Sequence, residues 1–237
     1  MELSIIIPLY KEEDLIITLL DKIENVRFPD FLKCHEIIIV DDCSTDNSFA
    51  LVSEYAKTHQ YIRVFKHDVN QGKGAAVKTG IKNSTKDTFI IQDADLELSP
   101  EDIPSMLEAM QQLNVEFVNG SRYLPGKIRP LSSFKRYWGN RIFTNLTSVL
   151  INVKLTDMAC GYKLIKKSLY DKINLKENRF GFEAELIIKA IRLKKNNVAE
   201  VPVSYFPRNK GEGKKLNNLD GLKILKTLFI YGLLRLN

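Results

Sequence analysis

The first apolar run, Leu3-Ser4-Ile5-Ile6-Ile7-Pro8, reads as a buried strand. From Glu12 to Ile23 the period changes: Leu15, Ile16, Leu19, Leu20 and Ile23 fall on one face of a helix. The unit recurs, with Glu36 to Val40 before a helix over Asp46 to Thr58, and Ile62 to Phe65 before a helix over Gly72 to Lys82. Phe89-Ile90-Ile91-Gln92-Asp93-Ala94-Asp95-Leu96-Glu97 is the fourth run. After it, Ser99 as a cap, Pro100 at the first helical position and Asp102 three residues past the cap predict a helix to about Leu113. A further helix is expected over Ala184 to Arg192, and Leu219 to Leu236 is apolar around most of a helix. Strands buried on both faces with intervening helices imply an α/β fold with a mainly parallel sheet sandwiched by helices.

In open sheets of this kind ligands bind beyond the carboxyl ends of the strands. Those ends are chemically loaded: Pro8-Leu9-Tyr10-Lys11-Glu12, Asp41-Asp42-Cys43-Ser44-Thr45-Asp46 and Asp93-Ala94-Asp95. If the fourth run stays extended to its end, Asp93, Asp95 and Glu97 point the same way at a spacing of roughly 6.7 Å. Hard oxygen ligands with no Cys or His nearby favour Mg2+ or Mn2+ over zinc. The plainer reading is a strand running into a helix cap. For Asp41 to Asp46 an Asx turn and cap accounts for Ser44 and Asp46 better than for Asp41 or Asp42. Asn70-Gln71-Gly72-Lys73-Gly74 opens a helix with two glycines, which lets backbone approach a ligand closely. It matches neither the Walker loop nor the dinucleotide fingerprint, whose third Gly or Ala is replaced by Val77.

Composition bounds the setting. With 237 residues, 44% of them hydrophobic, one sizeable core is expected. Cys34, Cys43 and Cys160 are scattered and lack metal-ligand spacing, pointing to a reducing cytoplasm. Met1-Glu2 leads into a strand without a basic leader, and no apolar stretch reaches the roughly 20 residues of a membrane span. The formal net charge is +6, and residues 208 to 237 hold seven basic residues against two acidic ones. Two regions are therefore expected: a catalytic domain over 1–207 and a basic, amphipathic C-terminal segment over 208–237.

The motifs resemble those of the family-2 glycosyltransferases of GT-A (Rossmann-like) fold, in particular the polyprenyl- and dolichyl-phosphate sugar transferases. The resemblance covers nearly the whole chain. It is carried by IIIPLYKEE (5–13), VDDCSTD (40–46), NQGKGAAVKTG (70–80), DADLELSPEDIP (93–104), GSRY (120–123), TDMACGYKLI (156–165), FGFEAEL (180–186) and GEGKKL (211–216). It implies a nucleoside-diphosphate sugar donor, UDP- or GDP-linked, with Pro8, Tyr10, Glu12, Asp41 and Asp42 near the nucleoside and Gly72, Lys73 and Gly74 in the binding loop. Asp93, Asp95 and Glu97 would lie at the metal, Mg2+ or Mn2+. Arg122, Arg136, Arg208 and Lys214 match basic positions that face donor or acceptor phosphates. Two departures stand out: Gly213 occupies a position where many members carry Ser, and Ala159 precedes Cys160 where many have a polar residue.

The acceptor divides the readings. A polyprenyl monophosphate, with a second pKa near 6, is largely ionised at neutral pH and needs little general-base help. A hydroxyl acceptor needs a base, for which Asp157, Glu183 and Glu185 are candidates. Against these stand the plainer alternatives: helix-capping for Glu183 and Glu185, ordinary ion pairs for Arg122 and Arg136, and a catalytically dead binding module for the whole. A nucleotidyltransferase lacks support, because Leu9-Tyr10-Lys11-Glu12 stands where its basic, Gly-rich segment belongs. The C-terminal helix, with Lys223, Lys226 and Arg235, and the segment Lys135 to Arg141 with Tyr137, Trp138 and nearby Phe143, combine basic and apolar residues. A membrane surface, an edge of the sheet and a second subunit are its candidate partners. The expected location is the cytoplasmic face of a membrane, peripherally bound, with no nucleic-acid partner.

Overall fold

The computed structural model describes residues 1–127, 130, 133–179, 181–195, 197–208 and 218–234, with backbone alone for residues 136, 218–220 and 222. Seven strands form one sheet in the order β3-β2-β1-β4-β6-β5-β7. Its first half is the expected repeat: β1 (Leu3–Leu9), α1 (Ile16–Glu24), β2 (His35–Asp41), α2 (Ser48–Thr58), β3 (Ile62–Lys66), α3 (Lys73–Lys82) and β4 (Thr88–Ile91). β1 pairs in parallel with β2 on one side and β4 on the other. The second half adds α4 (Ile103–Gln112), β5 (Phe117–Ser121), α5 (Phe134–Ile151), β6 (Lys163–Lys166), α6 (Lys167–Tyr170), α7 (Phe182–Lys194) and β7 (Ala199–Pro202). There β6 runs antiparallel to both β4 and β5, while β7 is parallel to β5.

Alternation along the central strands builds a core on each face of the sheet. Leu3, Ile5, Ile7 and Leu9 of β1 meet α1 and α4, whereas Ile6 meets Ala76, Val77 and Ile81 of α3 together with α7. That two-sided burial is why these strands read as near-continuous apolar runs.

Three local expectations change. The helix placed from Glu12 begins at Ile16, because Lys11 has a positive φ and the Glu12 N–H is taken by Ser48 Oγ. The cap pattern at Ser99 yields a 3-10 turn over Pro100–Asp102 before α4, with no side-chain cap. The Asp102 carboxylate instead receives the Ser204 N–H at 2.6 Å and Lys127 Nζ at 2.7 Å, which ties the 203–208 segment to this corner. The fourth run does not stay extended to Glu97. β4 ends at Ile91, Asp95 Oδ1 accepts the Glu97 N–H at 3.1 Å, and Leu96 turns to φ 55°. An Asx-type turn has replaced the strand.

The C-terminal helix forms as α8 (Asn218–Thr227) and continues with π geometry over Leu228–Leu233. Leu228 and Tyr231 are buried against the α3–α7 core, and the Arg192 guanidinium donates to the carbonyls of Tyr231 and Gly232. Its other face leaves Leu225, Phe229, Leu233 and Leu234 exposed. Leu228→Ala should therefore lower unfolding free energy by about 2–4 kcal/mol, whereas Phe229→Ala should change it by less than about 0.5 kcal/mol. Urea denaturation of both variants checks this; equal, small losses would show that the helix does not pack as described.

Candidate active site

A cavity of about 380 Å3 opens beyond the carboxyl ends of β1, β2 and β4, a size within the range of small-molecule sites. The loops that shape it are cross-braced. Ser44 Oγ accepts the Lys11 N–H and Ser48 Oγ the Glu12 N–H, so the turn after β2 holds the turn after β1. Asp46 accepts the N–H groups of Ser48 and Glu13 and acts within that brace.

The carboxylates that entered as candidate ligands arrive already paired. Lys73 Nζ lies 2.6 Å from Asp93 Oδ1 and 2.7 Å from Glu183 Oε1. Burial disfavours this ammonium, but the two carboxylates outweigh it and raise the Lys73 pKa. Arg208 grips Glu12 through both terminal nitrogens, at 2.8 and 3.1 Å, and faces Asp95 Oδ2 at 3.4 Å. Burial, and then the negative charges of Asp93 and Glu97, push the Asp95 acid up to about 6. Glu97 turns toward the 205–208 segment, accepting the Tyr205 hydroxyl at 3.2 Å and the Arg208 N–H at 2.9 Å.

Because the chain turns after Ile91, Asp93, Asp95 and Glu97 do not point to one spot. Among the described residues no three His, Cys, Asp or Glu side chains converge in a metal-holding group. Asp93 and Asp95 still fit a hard divalent cation, which characteristically takes one or two carboxylates and completes its shell with substrate phosphates and water. Asp95, with an acid raised by burial and then by like charges, is the group a cation would most relieve.

Pro8, Tyr10, Glu12, Asp42, Gly72, Lys73, Asp93, Asp95, Glu97, Arg122, Glu183 and Arg208 all line this cavity. Asp41, Gly74, Asp157 and Glu185 do not. Asp41 is buried beneath the β2 turn, its Oδ2 accepting the Ser44 N–H. Gly74 packs against the backbone of residues 177 and 178, where a Cβ would come within 2.9 Å. Asp157, placed among the catalytic residues, is fully buried beneath Arg122: Nε and one terminal nitrogen donate to it at 2.6 and 2.9 Å, and Asn140 Nδ2 at 3.0 Å. Against the burial that would raise it, Arg122 holds its pKa low. Glu185 is buried and accepts the N–H groups of Lys176 and Glu177 and the Lys189 ammonium. Neither is placed to take a proton from a substrate. Arg136 lies on α5 with its side chain outside the described residues, as is all of Lys214 and the GEGKKL motif.

Several contributors were not singled out in the sequence. Arg179 lines the cavity and donates to Asn70 Oδ1 and its carbonyl. Tyr205 lines it too, its ring 5.0 Å from the Arg122 guanidinium carbon. Gly161 is required by Asp93, since a Cβ there would stand 2.2 Å from Asp93 Oδ2. Fully buried Gln92 brackets the acidic turn, donating to the carbonyls of Asp93 and Leu98 while Tyr162 donates to its Oε1 at 2.5 Å. Gly161 and Tyr162 sit inside the quoted 156–165 motif and Gln92 inside the fourth apolar run, whereas Arg179 and Tyr205 lie outside every quoted stretch.

The family model for glycosyl transferase family 2 matches residues 4–174. The dolichol-phosphate mannosyltransferase of Pyrococcus furiosus is 29% identical over 233 residues, 98% of this chain but 62% of that protein. The undecaprenyl-phosphate mannosyltransferase of Micrococcus luteus is 27% identical, over 93% of this chain and 90% of its own length. Among solved structures, glucosyl-3-phosphoglycerate synthase of Mycobacterium tuberculosis, crystallised with Mn2+, UDP and glucosyl-3-phosphoglycerate, superposes with a TM-score of 0.74 at 18% identity, covering 97% of this chain and 79% of that one. The fold is thus shared with a UDP-binding protein, and by the family match over most of its length the chain belongs to glycosyl transferase family 2.

Proposed function

We propose that the chain transfers a glycosyl group from a nucleoside-diphosphate sugar to a polyprenyl monophosphate at a membrane surface, with Mg2+ or Mn2+ held by Asp93 and Asp95. The observation that carries the donor side is charge: the described cavity lining holds six acidic side chains and four basic ones. Of the four basic residues expected to face phosphates, Arg122 is matched by Asp157 and Arg208 by Glu12, while the Arg136 side chain and Lys214 lie outside the described residues. A net acidic cleft accepts a diphosphate only in company with a cation. A bound divalent ion supplies Lewis-acid stabilisation of the negative charge that develops on the leaving nucleotide. Arg179, exposed and donating to Asn70 where the other three cations of the described lining face carboxylates, is the protein's own cation toward the phosphates.

On the acceptor side, the three carboxylates considered as general bases are each engaged: Asp157 by Arg122, Glu185 by backbone N–H groups and Lys189, Glu183 by Lys73. A phosphate acceptor, already ionised, makes no demand on them. Relatives named for dolichol phosphate and undecaprenyl phosphate support the same choice. So does the surface. Phe134, Trp138, Ile142, Leu146 and Val149 are exposed along α5, at spacings of three and four residues, and Leu225, Phe229, Leu233 and Leu234 are exposed at the C-terminal helix. No helix among the described residues is long and apolar enough to cross a membrane. Such faces, flanked by Lys135, Arg141, Lys223 and Lys226, suit a helix lying in an anionic interface.

Three outcomes follow from this reading. With radiolabelled donor, sugar should enter a polyprenyl phosphate and not the matching polyprenol, at a rate that falls below about pH 6 as the lipid phosphate takes up protons. Equal transfer to both lipids would defeat the lipid-phosphate assignment and leave a glycosyltransferase standing.

Asp95→Asn should separate stability from activity. Since the folded-state acid is raised, the ionised Asp95 costs stability in full above about pH 6, and that cost shrinks as pH falls from there to the ordinary aspartate value of 3.8. Asn removes it, so metal-free protein at pH 7 should gain on the order of 1 kcal/mol while turnover is lost. A melting temperature that drops, or turnover that survives, contradicts the assignment.

The wild type should sediment with anionic liposomes at low salt and be released by high salt. Changing Phe134 and Trp138 together to Ser should at least halve the bound fraction, about as expected for removing two apolar anchors. Negligible sedimentation of both forms would assign the α5 face to something other than a membrane.

A further inference from the structure

His67 follows β3, is buried, and is not part of the cavity lining. Its Nδ1 lies 2.7 Å from Asp42 Oδ1 and its Nε2 2.9 Å from Thr79 Oγ1 on α3. A carboxylate only accepts, so Nδ1 carries the proton and donates to Asp42, and the Thr79 hydroxyl, which rotates to suit, satisfies the other nitrogen. The His67 N–H donates to the Asp41 carbonyl at 2.8 Å, which anchors the ring's backbone to β2.

Asp42 does more than line the cavity. Its Oδ1 also accepts the Gln71 N–H at 2.9 Å, its Oδ2 accepts the Gly72 N–H at 2.7 Å, and its carbonyl accepts Asn70 Nδ2 at 3.1 Å. Gly72 sits at φ +101°, a conformation costly for any residue with a side chain, and this turn is held open by the same carboxylate. Asn70, Gly72 and Asp42 all face the cavity. Rotation of the Asp42 carboxylate would therefore disturb an acid in the lining and the turn beside it together, and the His67 ring is the side chain that opposes such rotation.

We infer that His67 is a positioning residue for donor binding: by donating to Asp42 it fixes that carboxylate and, through it, the Asn70–Gly72 wall of the pocket. The inference rests on the nucleotide-sugar reading above. A ring that only filled space would be replaceable by an apolar ring of similar size; a hydrogen-bond donor to Asp42 is not.

The test titrates UDP and GDP, each with Mn2+, into wild type, His67→Asn, His67→Phe and Thr79→Val. Steady-state donor and acceptor kinetics and amide exchange at Gln71 and Gly72 accompany it. In His67→Asn the side-chain amide replaces Nδ1–H, and nucleotide affinity should stay within about threefold of wild type, as it should in Thr79→Val, which keeps the Asp42 bond. His67→Phe should weaken nucleotide binding and raise donor KM about tenfold, the size of one lost hydrogen bond to a charged group. Its kcat and acceptor KM should remain near wild type, and exchange at Gln71 and Gly72 should accelerate. If the Phe variant does not fold, His67→Met carries the same expectation. A folded His67→Phe or His67→Met with wild-type nucleotide affinity, an Asn variant as weak as the Phe one, or a loss confined to kcat would overturn the inference alone. A wild type that binds neither nucleotide would remove the nucleotide-sugar reading on which it rests.

Discussion

The site depends on one constraint: charges gathered at the ends of buried strands must be matched, because a desolvated and unmatched carboxylate costs several kcal/mol or shifts its pKa until it is neutral. Three cations and one hydrogen bond meet that constraint here. Lys73 answers Asp93 and Glu183, Arg208 answers Glu12 and reaches Asp95, Arg122 answers Asp157, and the His67 Nδ1–H donates to Asp42. Each joins segments far apart in the chain, so the same bonds that neutralise the cleft also assemble it. Asp95 is the member matched least well, and its acid shifts accordingly.

This arrangement changes what the basic residues mean. Read along the sequence, Arg122 and Arg208 are cations offered to phosphates; in the fold they first cancel carboxylates. Arg122 sits over Asp157 like a plate, its guanidinium fixed by two bonds and flanked by Tyr205. Such an arginine presents a rigid, oriented face to the cavity and contributes little net charge. The resulting lining favours a ligand that brings a divalent cation with it.

How far the sequence was legible follows the range of the information. The first four strand–helix units were readable because the apolar period reports burial locally, and β1, β2, β3 and β4 stand where that period put them. Strand-end chemistry was readable too, since Pro8, Tyr10, Glu12, Asp42, Asp93 and Asp95 do line one cavity. In the second half the helices α4 and α7 were readable in the same way, but the strands were not: β6 and β7 are four residues each, and β6 carries a buried Lys163 that no apolar pattern signals. The turn after Ile91 was misread because Asp95 bonds the Glu97 N–H, a local event that alternation cannot foresee. Asp157 and Glu185 looked like free acids for the same reason: their partners, Arg122 and the 176–177 backbone, are supplied by the tertiary fold.

On the proposed function, the described lining of the cleft is too acidic to hold a nucleoside diphosphate without a metal ion. Calorimetric titration of UDP and GDP into the wild-type protein, with Mn2+ and then with excess chelator, tests it directly. One of them is expected to bind with Mn2+, and with an affinity weaker by at least about tenfold, some 1.4 kcal/mol, in chelator. Equal affinity under the two conditions would contradict it.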